Sequence, residues 1–192
     1  MTRAAEERTL VLLRHAEAAD GLTRADIDRP LTDRGRRQAT AVGQWLHAQG
    51  LGCDLVICST AVRARQTCEE VASAGEAEAE VLHDPRVYNA TPEGLLDALR
   101  EADESADVVM IVGHSPGLPA LASLLADGEG PSAAHDALTC GFPTASVAIL
   151  RYSGHWSSIS YADAVLTECT TPFSPADVDA GVADEFLTSR RS

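Results

Sequence analysis

His15 follows Arg14 at the end of one short apolar run, and His114 follows Gly113 at the end of another. A third such run, Asp54 to Cys58, leads into Ser59, Thr60, Arg63 and Arg65. A neutral imidazole is a competent nucleophile near pH 7, and arginine presents a planar fork of N–H donors that matches a tetrahedral oxyanion. Two histidines with two or three arginines therefore suit a phosphoryl group, whose oxygens the guanidinium groups bind while an imidazole receives it in line. A metal suits the set poorly: fixed positive charge opposes a cation, and no carboxylate, cysteine or third histidine accompanies the pair. Neither a metal nor a cofactor is expected.

Taken singly, each of these residues has an ordinary structural reading. What joins them is their placement, because in open α/β sheets the site lies beyond the carboxyl ends of the strands. Thr9 to Leu13, Asp54 to Cys58, Ala79 to His83 and Asp107 to Val112 read as strands. Helices are expected from Asp33 to Gln49 behind a Thr32 cap, from Ala61 to Ser73, from Thr91 to Ala102 with Pro92 in its first turn, and from Pro116 to Ala126. Val42, Trp45 and Leu46 would form the buried stripe of the first helix. Glu17 to Pro30 is polar and reads as a loop with one turn of helix. Ser146 to Arg151, Trp156 to Tyr161 and Val165 to Cys169 look like closing strands, the first two joined by a turn at Ser153 and Gly154. The alternation predicts an α/β three-layer sandwich, a mixed and mostly parallel sheet with helices on both faces.

At 192 residues and 45% apolar, the chain has material for one core, expected over residues 1–171. Residues 172–192 turn to Pro, Asp and Ser and are expected to be an acidic, loosely ordered tail, with one short helix at most, around Val182 to Leu187. No run approaches the roughly 20 apolar residues of a bilayer span. The five cysteines form no Cys-x-x-Cys pair and are expected as reduced thiols in a cytoplasmic protein. A net charge of −14 repels nucleic acid and anionic membranes, so an anionic substrate must be gripped by a local cluster of cations. All 15 basic residues are arginine.

Leu13-Arg14-His15-Ala16-Glu17 resembles the signature of the histidine phosphatase superfamily, the phosphoglycerate mutase-like fold. Ser59-Thr60-Ala61-Val62-Arg63-Ala64-Arg65-Gln66-Thr67 is similar to that family's second motif, and Val112-Gly113-His114-Ser115-Pro116-Gly117 to its third. Arg29 to Gly35, Val87 to Ala90 and Phe142 to Ser146 most resemble the short phosphohistidine phosphatases of the SixA type. The resemblance implies His15 as the nucleophile, Arg14 and Arg63 as ligands of the phosphoryl oxygens, and His114 as the residue that completes the pocket. Arg65 matches a position nearer the rim, and Ser59 a hydrogen-bond donor to substrate or a plain turn.

Mutase-like members carry an acidic proton donor between the second and third motifs. Here Asp84 is the nearest candidate, and it precedes a proline as turn-forming carboxylates also do. Expelling an alkoxide needs such a donor, worth ~10²–10⁴-fold in rate, whereas a phosphoramidate can leave as neutral imidazole. The long insertion that encloses a small sugar phosphate in mutases is also missing. The expected activity is a phosphatase that takes the phosphoryl group onto His15, with phosphohistidine in a protein as the favoured substrate. A small-molecule phosphomonoesterase or pyrophosphatase and a noncatalytic phosphate-binding module are the alternatives.

Overall fold

The computed structural model describes residues 7–22 and 24–173. Six strands, β1 (Glu7–Arg14), β2 (Leu55–Ser59), β3 (Glu80–Asp84), β4 (Val108–Gly113), β5 (Val147–Ser153) and β6 (Ala164–Thr170), form one sheet in the order β3-β2-β4-β1-β5-β6. The first four in that order run parallel; β5 pairs antiparallel with β1, and β6 antiparallel with β5. The fold is the mixed, mostly parallel α/β sandwich expected from the alternation.

Alternate residues of β1 show how the layers arise. Leu10 and Leu12 face a core shared with α3 (Pro92–Arg100), α4 (Gly117–Leu125) and α5 (Ser132–Cys140). Val11 and Leu13 face the other core, built with α1 (Asp33–Ala48) and α2 (Val62–Gly75). All four side chains are fully buried, which is why the strand reads as a continuous apolar run rather than an alternating one. Thr32 caps α1 by accepting from the Gly35 N–H at 2.9 Å, and Thr91 caps α3 through Gly94; a cap of this kind contributes about 1 kcal/mol. In the expected stripe of α1, Val42 and Leu46 are buried and Trp45 partly so.

Two segments depart from the sequence expectation. Trp156 to Tyr161 is not a strand: Trp156–Ser158 forms a 3-10 turn, and β5 pairs with β6 instead. Trp156 is drawn into the core, its Nε1 donating to the Ala106 carbonyl at 2.8 Å while Glu104 accepts from its backbone N–H. The second departure is α5, for which no helix is expected; only Ala134 and Leu138 of it are buried, too sparse a stripe to stand out. Phe173 is buried and lies beneath the Arg34 guanidinium, while the stretch from Val182 to Leu187 falls outside the described residues.

Candidate active site

The parallel strands bring three chain segments to one edge. In register, Arg14 lies opposite Gly113 and Cys58 opposite Val112, so His15, Ser59 and His114 emerge side by side at the carboxyl ends of β1, β2 and β4. The His15 N–H still donates across to the Gly113 carbonyl at 3.0 Å, which fixes one histidine relative to the other. The two rings stand 5.0 Å apart between centroids.

His15 is oriented by its own main chain. Its Nδ1 lies 2.7 Å from the Ala16 carbonyl oxygen, an acceptor only, so Nδ1 carries the proton and donates. The Nε2 lone pair is thereby left facing the pocket, where Arg63 Nε donates to it at 3.2 Å. Burial above all pushes the His15 pKa down to about 4, with the charges of Arg63, Arg14 and Arg29 adding to the effect and the Ala16 bond opposing it. The ring is neutral at physiological pH and its lone pair is available.

His114 is held from behind. Its Nε2 lies 2.8 Å from Ser59 Oγ, and that oxygen also accepts from the Ala61 N–H at 3.3 Å. Ser59 is wholly buried, and either it or His114 Nε2 can be the donor in this bond. When Ser59 donates to Nε2, the proton of the neutral ring is on Nδ1 and faces the pocket. Burial lowers the His114 pKa to about 3, assisted by His15 and Arg63 and opposed by Asp26. Nδ1 of His114 sits 3.4 Å from Arg63 Nη2, which can only donate, so without an anion Nδ1 accepts, and an anion entering the gap would receive donors from both residues. That arrangement asks for an anion.

Arg63 and Arg14 reach the same place from different elements. Arg63 stands in the first turn of α2 and is 4% exposed, its position tied to the His15 loop by Thr67, whose hydroxyl donates to the Arg63 carbonyl and accepts from the Ala16 N–H. Arg14 Nη1 donates to the Phe142 carbonyl at 2.7 Å, and its buried Nε has no protein partner. The Phe142-to-Ser146 segment closes against this point, with the Ala145 N–H shared between the carbonyls of Arg14 and His15.

The remaining expected residues stand outside the cluster of histidines and arginines, with Asp84 opposite Ser59 in the register of β2 and β3. Arg65 is exposed on the outer side of α2. The Asp84 carboxylate is engaged by Arg86, through Nε, Nη2 and the backbone N–H, and these bonds hold it below its ordinary pKa. Ser59 reaches the cluster only through His114. Sequence reasoning did not single out Asp26, in the 3-10 turn Asp26–Asp28, or Tyr88. Asp26 forms an ion pair with Arg63 at 2.9 Å and accepts from the Tyr88 hydroxyl at 2.7 Å and from Arg29 at 2.8 Å. Tyr88 bonding first, then Arg29, holds its carboxyl far below the usual carboxylate range. Spacing gives no hint of these contacts, since Asp26 and Arg63 are brought together by the loop's return across the sheet edge.

A cleft of about 380 Å³ opens beside His114, lined by Asn89, Thr91, Pro92, Ser115 and Pro116, mostly apolar and without an arginine. A separate apolar cavity of about 430 Å³, lined by Leu46, Val56, Cys68 and Val71, lies at the other end of the strands. Among the described residues no group of three or more His, Cys, Asp or Glu is placed to hold a metal ion.

Comparison with known proteins agrees with this geometry. The family model for the histidine phosphatase superfamily (branch 1) matches residues 10–89, the span that carries His15 and Arg63. An uncharacterized protein of Mycobacterium tuberculosis is 38% identical over 163 residues, covering 83% of this chain and 99% of its own. Among solved structures, a candidate phosphohistidine phosphatase SixA from Nakamurella multipartitia is 35% identical with a TM-score of 0.79, covering 90% of this chain and 100% of that one. The protein histidine phosphatase SixA complexed with tungstate is 25% identical with a TM-score of 0.68, covering 85% of this chain and 97% of that one.

Proposed function

The chain belongs to the histidine phosphatase superfamily and is a phosphatase, and on that premise we propose that it hydrolyses phosphohistidine in proteins through a phosphoryl intermediate on His15. The observation that carries the reading is the Nδ1–H bond from His15 to the Ala16 carbonyl, which presents a neutral Nε2 lone pair to a site ringed by donors.

In the first step Nε2 of His15 displaces its contact with Arg63 and attacks phosphorus, forming an N–P bond as the substrate's own P–N bond breaks. The electron pair of that bond goes to the leaving imidazole, which takes its proton from solvent. Arg63, Arg14 and the Nδ1–H of His114 donate to the equatorial oxygens, where charge is spread in the transition state. Water then attacks phosphorus as the N–P bond breaks, the electron pair of that bond returns to Nε2, the water's proton passes to solvent, and inorganic phosphate departs. Arginine and imidazole supply the charge, so the reading requires no metal.

Two features support a phosphoramidate over a phosphate ester. Asp84, bound by Arg86, holds no proton for an alkoxide leaving group at neutral pH. The cleft beside His114 carries no arginine for a second phosphate or a carboxylate of a small substrate. The naming of two similar structures as SixA-type phosphatases points the same way. A reducing cytoplasm suits the four buried free thiols. In this reading residues 1–171 are the catalytic domain and 172–192 an acidic appendage to it.

The test is the hydrolysis of a phosphohistidine-bearing protein and of an aryl phosphate side by side in chelator. The wild type is expected to favour the phosphohistidine protein, and His15→Ala to turn over neither. Preference for the ester would replace this reading with a small-molecule phosphatase.

A further inference from the structure

The guanidinium of Arg63 has two donor edges, and they face different partners. The side edge, made by Nε and one N–H of Nη2, faces His15 Nε2 at 3.2 Å and His114 Nδ1 at 3.4 Å. The end edge, made by Nη1 and the second N–H of Nη2, is taken by a single residue. The Asp26 backbone carbonyl accepts from Nη1 at 2.5 Å, and its carboxylate Oδ2 accepts from Nη2 at 2.9 Å. A planar fork fixed at one edge cannot turn about its stem without breaking both bonds, so the other edge is locked toward the imidazoles.

Asp26 is itself braced. The Tyr88 hydroxyl donates to the same Oδ2 at 2.7 Å, and Arg29 donates to Oδ1 at 2.8 Å while its Nε clamps the Ala19 carbonyl at 2.6 Å. Tyr88 in turn lies edge-on to His114 and beneath Arg63. The carboxylate therefore sits behind the guanidinium and not in the gap between Arg63 and His114.

Resting on the phosphatase reading, we propose that Asp26 is a positioning residue for phosphoryl transfer, which acts through Arg63 by turning its Nε/Nη2 edge to the phosphoryl oxygens. The sign of its effect distinguishes this role from the opposite one, a carboxylate that competes with the substrate for Arg63. Removing a positioning residue weakens anion binding; removing a competitor strengthens it. A residue that merely stabilised the fold would act equally whatever stood at position 63.

The experiment measures tungstate affinity by titration calorimetry for the wild type, Asp26→Ala and Asp26→Asn, with circular dichroism to confirm the fold. Asp26→Ala is expected to weaken binding by about tenfold or more, the value of a hydrogen bond to a charged group. Asp26→Asn, whose amide oxygen can still accept from Nη2, is expected to fall between the two. In an Arg63→Lys background, which keeps the charge but has no fork to turn, Asp26→Ala should change affinity less than about twofold. The proposal is overturned by unchanged or tighter binding in Asp26→Ala, or by an equal loss in the Arg63→Lys background. Failure of the wild type itself to bind tungstate would overturn the phosphatase reading beneath it, an outcome distinct from the other two.

Discussion

Replacing Ser59 with alanine removes the hydroxyl that sets the proton of His114. The serine is fully buried, its oxygen 2.8 Å from His114 Nε2 and 3.3 Å from the Ala61 N–H, so no water takes its place without a local shift. Two polar groups lose their partner, and each such loss in a buried setting costs about 1–3 kcal/mol. The variant should be destabilised on the order of 2 kcal/mol by urea denaturation. The catalytic effect is separate from this. Without Ser59 the imidazole is free to carry its proton on Nε2, and Nδ1 then presents a lone pair to an anionic oxygen instead of a donor. One hydrogen bond of about 0.5–1.5 kcal/mol in the transition state corresponds to roughly a 2- to 13-fold loss in kcat/KM. The assay is steady-state turnover of an aryl phosphate together with ¹⁵N chemical shifts of the His114 ring. With tungstate bound, wild-type shifts should show the proton on Nδ1, and the variant a mixture. Unaltered turnover with an unaltered tautomer would refute the reasoning.

Further consequences concern pH, packing and the residues outside the cluster. Both histidines are held below the ordinary value of 6.5, at about 4 and about 3, so the unfolded chain binds their protons first. Their contribution to stability is complete above pH 6.5 and is lost as pH falls toward those folded values. Urea midpoints should show a loss on the order of 2 kcal/mol from each histidine between pH 7 and pH 5, and His15→Asn should remove its share of that dependence. The same shift places the acid limb of kcat/KM for His15 below pH 5 rather than near 6.5. Gly35→Ala puts a methyl group 2.0 Å from the Glu17 carbonyl oxygen, two residues beyond His15. Overpacking against backbone should destabilise the protein by about 1–3 kcal/mol or more and lower activity, read from denaturation and turnover. Arg65→Ala and Asp84→Asn, which alter an exposed helix residue and a carboxylate bound to Arg86, should each leave kcat/KM on phosphohistidine within about threefold.

His15, Arg14, Arg63 and His114 were legible because each stands at the carboxyl end of a strand or in the turn that follows one, and the apolar runs of those strands are unmistakable. Val11 and Leu13 announce the end of β1, and Val109 to Val112 that of β4, so the sheet alone brings His15 and His114 together. Helix boundaries were legible where caps mark them, as at Thr32 and Thr91. Asp26 was not legible, since its contact with Arg63 depends on the path of a loop that carries no periodicity. Trp156 shows the same limit in the core: an aromatic beside a turn reads as strand, but a buried ring needs its N–H satisfied, and Ala106 offers the acceptor only to a residue lifted out of the sheet. Asp84 shows it at the end of β3, where the Arg86 that engages it also pairs with Glu101, the residue that follows α3.

The most direct measurement traps the enzyme during turnover of a phosphorylated substrate and locates the phosphate on the chain by mass spectrometry. An acid-labile, alkali-stable phosphoryl group on His15, absent from His15→Asn, is the result predicted. Turnover accompanied by a phosphoester on a hydroxyl side chain, or surviving in His15→Asn, would contradict the central claim.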